Sequence, residues 1–231
     1  MTETLSWSGG TIPVRRSKRK TVALHVRDGA PELRAPWHLS DTDLKHFLID
    51  REDWLNKALH SQAEKQSQKP DFSQQGHCPL MDEQLTLRLQ RGARSQWRRE
   101  QDRLTLVAPV LDKPHVHYVL TDFYKTQAKY YLFKKTRQRV LAEGWENRLT
   151  DVCLRRTKTK WGHCTATGRI QYNWLIMLAP ERIVDYLVAH ETAHLLHPHH
   201  GATFWAEVGR LHPSWQADRR WLHDHGHRLW L

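Results

Sequence analysis

Cysteine is scarce. There are three, Cys78, Cys153 and Cys164, in 231 residues, an odd number with no C-x-x-C pairing, so a reduced, cytoplasmic protein is the expectation. No run of about 18 apolar residues occurs, which excludes a membrane-spanning helix. The stretch MTETLSWSGGTIPVRRSKRK carries its charges after a weakly apolar part and has no hydrophobic region of the signal-peptide kind, so no secretory signal is expected. Internal repeats are absent from the sequence, and outside a few histidine-rich patches so is low complexity. Acidic residues are also in deficit, 25 against 36 Lys and Arg, for a net charge of +11.

What is present describes a globular protein. Hydrophobic residues make up 39%, and 11 tryptophans supply large packing surfaces, enough for one large domain or two small ones. Basic residues cluster at Arg15 to Lys20, Arg88 to Arg103, Lys125 to Arg139 and Arg155 to Lys160. Such clusters suit anionic partners, nucleic acid among them, and equally serve as solvated faces that keep a tryptophan-rich protein soluble.

Residues 11 to 36 alternate like strands, with a turn at Asp28-Gly29 and a stop at Pro36. Ser40 reads as the N-cap of helical spacing that runs to about residue 64, and the polar stretch Ser61 to Gln75 reads as a loop or hinge. Strand signal returns over Leu85 to Gln90 and Leu104 to Val107, with Gly92 between. Asp112 and Pro114 open a long helix through Glu143 that Gly144 stops. Two strands follow, Val152 to Thr157 and Arg169 to Tyr172, joined by a loop KTKWGHCTATG. The expected organisation is an antiparallel β-rich region with a helical insertion over residues 1–110 and a catalytic region over 111–231.

The densest chemistry lies in LVAHETAHLLHPHHGATFW, Leu187 to Trp205. His190, Glu191 and His194 form H-E-x-x-H, and on a helix His190 and His194 stand one turn apart on one face, able to share a metal ion with Glu191 beside it. With 17 histidines in the chain, a chance match has a probability on the order of one in twenty. The setting therefore matters. Ile183, Leu187, His190 and His194 run down one helical stripe and Val184, Val188, Glu191 and Leu195 down the next, so the motif continues a buried face on which Glu191 needs a reason to be. The helix starts at Pro180-Glu181 and stops at Pro198. His200, six residues after His194 and past the Pro198 break, is the favoured third ligand; His197, His199 and Glu207 are its competitors. Glu191 is the general base for a metal-activated water. His163, Tyr172 and Asn173 are possible oxyanion donors, none preferred by the sequence.

RRSKRKTVALHVR, KTKWGHCTATGRIQYNW, DYLVAHETAHLLHPHHGATFW and PSW, in that order from about residue 11 to 222, resemble the YgjP-like predicted metallopeptidases, relatives of the SprT-like zinc proteases. The resemblance implies an α+β fold with a minimal zincin-like core: a backing helix, a small sheet, the active helix and C-terminal helices. It implies Zn2+ at His190, His194 and His200 with Glu191 as base, and the H-G-x-x-F form at His200, Gly201 and Phe204 matches the family's third-ligand segment. His163 stands where the family has a small serine, and His199 where asparagine is common.

The leading expectation is a zinc metallopeptidase acting on a peptide or protein, with a strand near Arg169 to Asn173 holding an extended substrate. The alternatives are a basic nucleic-acid-associated protein whose zinc is structural, a protease acting on DNA-bound proteins, and metal buffering by the histidine-rich C-terminal part. Oligomeric state is not legible.

Overall fold

The computed structural model describes residues 3–27, 29–67, 72, 76–157 and 159–231. The fold is mixed α+β, with six α-helices and three small sheets among these residues. It divides into two compact units, Met1–Gln68 and Lys69–Leu231. The boundary expected at residue 110 is therefore corrected to 68/69. The strands between the two positions share one apolar core with everything that follows them, from Leu80 and Leu85 through Phe123 and Trp174 to Leu187 and Phe204.

The N-terminal unit holds β1 (Glu3–Trp7), β2 (Gly10–Ser17), β3 (Ala23–Arg27) and β4 (Ala30–Pro36), in the order β1-β2-β4-β3. The turn expected at Asp28-Gly29 is seen at Gly29, whose φ of 80° suits a residue without Cβ; Asp28 lies outside the described residues. Helix α1 (Asp41–Asp50) starts in a reciprocal capping box between Ser40 and Asp43, and α2 (Glu52–Ser67) follows. Leu44, Leu48 and Leu55 cover Leu5, Ile12, Val14 and Leu33 to make a small separate core. The loop expected from Ser61 is helical as far as Ser67, and residues 68–71 and 73–75 of that stretch lie outside the described residues.

The C-terminal unit opens with β5 (Gly76–Leu80), β6 (Glu83–Arg91), β7 (Gln96–Glu100) and β8 (Arg103–Ala108), in the order β5-β6-β8-β7. In both four-stranded sheets the outer pairs are antiparallel and the central pair is parallel, β2 with β4 and β6 with β8. The all-antiparallel expectation is thus corrected. Each sheet is two hairpins laid side by side with the second arm of each hairpin innermost; these arms carry the buried Ile12 and Leu33 in one sheet and Leu85, Leu87, Leu104 and Leu106 in the other, where the outer β5 adds the buried Cys78 and Leu80. The same four-strand arrangement therefore occurs twice in a chain without a visible sequence repeat. The tight turns of the first copy use Gly10 and Gly29 at positive φ; the corresponding turns of the second use Met81 and Gln101.

Helix α3 (Lys113–Ala142), capped by Asp112, buries Val116, Leu120, Phe123, Ala128, Leu132 and Val140. It backs β8, the three-stranded sheet and the helix that carries the histidine motif. That sheet has the order β10-β11-β9, from β9 (Asp151–Arg155), β10 (Gly162–Cys164) and β11 (Arg169–Asn173). Helices α4 (Glu181–Ala193), α5 (Ala202–Leu211) and α6 (Trp215–His225) complete the unit. Two bonds tie the first sheet of this unit to the segment that leads into α4 and to its first turn: the Met81 amide donates to Met177 O at 2.8 Å, and Asp82 accepts from the Glu181 amide at 3.2 Å. No helix among the described residues is long and apolar enough to cross a membrane.

Candidate metal centre

Helix α4 is buried on most of its circumference, and Ile183, Val184, Leu187 and Val188 follow the stripe that ends in the histidine motif. His190 lies in its last turn and His194 at its C-cap. Pro198 prevents continuation, the chain reverses, and Gly201 leads into α5, which returns His200 to the same spot. His200 Nε2 stands 3.1 Å from His190 Nε2 and 3.2 Å from His194 Nε2. Among the described residues this is the one cluster of three or more His, Cys, Asp or Glu donors able to share an ion.

The electrostatics of the triad fit a cation. His194 Nδ1 lies 3.0 Å from the carbonyl of His197, which can only accept, so Nδ1 carries the proton and Nε2 turns a bare lone pair to its neighbours. Burial, reinforced by neighbouring imidazoles and, at His190 and His200, by Arg219, holds all three imidazoles below their ordinary pKa, His190 down to about 3, so they stay neutral. Neutral nitrogens this close repel unless something positive lies between them. Nitrogens coordinating a tetrahedral zinc at about 2.0–2.1 Å stand about 3.3–3.4 Å apart, close to the spacing seen. The donor chemistry and the spacing both fit zinc.

Aromatic groups hold the rings. His194 stacks on Phe204 at 4.4 Å, and His200 lies against Trp205, which stacks on Trp215 at 4.5 Å with the Arg219 guanidinium over it. Tyr186, one turn before His190, brings its hydroxyl to 3.4 Å from His190 Nδ1. Beneath them Asp218, 1% exposed, accepts from Arg182 and Ser214 and contacts His212, fastening α6 to α4. Neither Tyr186 nor Asp218 stands out in the sequence as a site residue. The i, i+4 spacing of Tyr186 and His190 is the available signal; nothing in the sequence pairs Asp218 with Arg182.

Glu191 is 3% exposed, and its Oε2 has no hydrogen-bond partner. Desolvation pushes its pKa up to about 8, with Lys160 opposing. The carboxylate fits where it does because β10 passes it at a glycine: a Cβ on Gly162 would lie 2.3 Å from Glu191 Oε1. The strand β10 lies within the segment expected to be a plain joining loop, and it is the free edge of its sheet. The Asn173 amide donates to Trp161 O at 2.7 Å and the Thr165 amide to Arg169 O at 2.9 Å, so the alternation turns the backbone N–H and C=O of Gly162 and Cys164 outward. A cleft of about 840 Å³ runs between this edge and α4, with all three histidines, Glu191 and His163 in its wall.

Several expected residues fall elsewhere. Strand β11, the expected substrate holder, is paired on both sides by β9 and β10 and has no edge to offer. Tyr172 is fully buried with its hydroxyl 2.9 Å from Thr136 Oγ1, and the Asn173 side chain caps the following turn and donates to Thr157 O, so neither faces the cleft. Of the three suggested oxyanion donors only His163 lines it. Glu207 is engaged by Arg210, which also binds Glu143, and His197 and His199 are outside the triad.

No curated protein matches the chain. A family model described as YgjP-like, metallopeptidase domain matches residues 20–225, nearly the span over which the motifs run. With the triad, the adjoining carboxylate and the edge-strand cleft all inside that match, the chain belongs to the YgjP-like metallopeptidase family.

Proposed function

We propose that the C-terminal unit is a zinc-dependent peptidase built on a minimal zincin-like core, with α3 as backing helix, β9 to β11 as the sheet and α4 to α6 around the centre. The observation that carries the reading is the convergence of three Nε2 atoms beside a buried carboxylate oxygen that has no partner. His190, His194 and His200 hold the metal. Zinc, when bound there, supplies a Lewis acid that lowers the pKa of water and polarises a carbonyl.

The chain supplies the rest. Glu191, through Oε2, takes the proton of the attacking water and passes it to the leaving nitrogen of the cleaved amide. A nearby cation favours the ionised carboxylate that this base requires, against the desolvation that holds it protonated otherwise. The outward backbone groups of Gly162 and Cys164 pair with an extended peptide, fixing its carbonyl against the triad. No fourth protein donor joins the triad among the described residues, which favours a catalytic site with an open position over a structural one.

Elemental analysis of the untagged protein, wild type beside His200→Ala and Glu191→Gln, tests this. About one zinc per chain is expected in the wild type and in Glu191→Gln, with most of it lost in His200→Ala. Peptide hydrolysis is expected in the wild type alone. Zinc retained by His200→Ala removes the triad, and hydrolysis retained by Glu191→Gln removes the mechanism.

A further inference from the structure

The cleft wall is electrically one-sided. Among the described residues its only carboxylate is the buried Glu191, whereas Lys160 and Arg148 both line it as exposed side chains. Neither takes part in an ion pair among the described residues. Arg148 makes a single long bond, Nη1 to Leu195 O at 3.4 Å, and Lys160 offers only its backbone carbonyl, to Thr157. Other charges near the cleft are neutralised locally, Asp151 by Arg169 at 3.2 Å for example.

Their placement along the edge strand is what matters. Lys160 stands two residues before the N-terminal end of β10. Arg148 stands beside the turn that leaves its C-terminal end: the Thr150 amide donates to Gly168 O at 3.0 Å, and Gly168 at φ 80° passes so near Arg148 O that no side chain fits there. A peptide laid along β10 therefore runs from one cation to the other, with the histidine triad facing it in between. Cations without an ion-pair partner at both ends of a groove whose floor offers backbone hydrogen bonds, Lys160 also within electrostatic reach of Glu191, fit a chain bearing negative side chains on both flanks.

We propose that the centre prefers extended peptides with acidic residues on both sides of the cleaved bond, and that Lys160 and Arg148 set this preference. The inference rests on the peptidase reading above. An exposed ion pair contributes about two- to fivefold in binding, so two acidic flanks together are favoured roughly tenfold over uncharged ones at low salt, and less as salt screens them.

The test uses the zinc-loaded full chain and three internally quenched peptides that differ only in flanks of Glu, Gln or Lys, with kcat/KM read for the wild type, Lys160→Glu, Arg148→Glu and the double variant. Binding of the same peptides to Glu191→Gln is read in parallel by fluorescence anisotropy. The wild type is expected to rank Glu above Gln above Lys, and the ratio of Glu to Lys peptide to fall steeply in each variant and to drop below one when both are reversed. Because each ratio is taken within one protein, partial misfolding of a variant cancels. Cleavage of all three peptides at equal rates overturns the inference and leaves the peptidase reading intact. Ranked binding with no cleavage of any peptide supports the inference and overturns the peptidase reading.

Discussion

Replacing Gly162 by alanine adds one methyl group at the point where the edge strand meets the Glu191 carboxylate. The new Cβ would lie 2.3 Å from Glu191 Oε1, 2.5 Å from Cδ and 2.6 Å from Cγ. Carbon does not approach carbon or oxygen nearer than about 3.4 Å without strain, so the carboxylate or the strand must shift by about 1 Å. The strand is held by β11 on one side, and Glu191 is the softer partner. A displacement of that size at a reacting group costs about 100-fold in rate, or about 2.7 kcal/mol of transition-state stabilisation. The three atoms nearest the new methyl all belong to Glu191 and none to a histidine, so zinc content per chain should remain that of the wild type. The overpacking should lower global stability by about 1–3 kcal/mol, visible as a reduced Tm. The assay is kcat/KM on a peptide cleaved by the wild type, with elemental zinc and a thermal scan on the same samples. An alanine variant that keeps its zinc and cleaves within threefold of wild type, a bound set well inside the ~100-fold expectation, would refute the claim that Gly162 sets the position of Glu191.

Two further outcomes follow from the fold. Gln101 holds φ at 52° in the β7–β8 turn while exposed to solvent, so Gln101→Gly should raise stability by about 0.5–1 kcal/mol in urea titration, the relief of left-handed strain less the added unfolded-state entropy; a loss of stability would show that the turn is not strained. Asp218→Ala removes the buried acceptor shared by Ser214, His212 and the half-exposed Arg182 and should destabilise the C-terminal unit by about 1–3 kcal/mol, read as a shift of the urea midpoint; a change below about 0.5 kcal/mol would reduce the network to a surface contact.

Local spacing makes parts of the molecule legible in the sequence. The 3.6-residue stripe through Ile183, Leu187, His190 and His194 is a property of one helix, and Pro198 with Gly201 announces the reversal that returns His200. What depends on distant pairing is not legible. Whether β2 meets β4 or β3 depends on which apolar arms must be innermost, and nothing within either arm says parallel. Strand β10 is three residues long, too short for alternation to register, and its defining residue has no side chain at all. The polar stretch from Ser61 suggests a loop because its composition is loop-like, yet α2 continues through it to Ser67. The boundary at 68/69 rather than 110 has the same origin. Leu85, Leu104 and Leu106 mark strands, but only the packed core tells which unit those strands complete.

The shortness of the β10 edge also bears on what can be cut. Three residues offer about 10 Å of backbone pairing, so under the proposed peptidase reading a target must arrive as an already extended segment, and a helix or a strand held in its own sheet would not bind. Nothing among the described residues forces that opening. The rate at which a folded protein is consumed is then governed by how often the target exposes a segment by itself, its local unfolding equilibrium. Selectivity among proteins becomes a property of the victim's stability as much as of its sequence, and a chain spared when native is one that would be degraded when damaged.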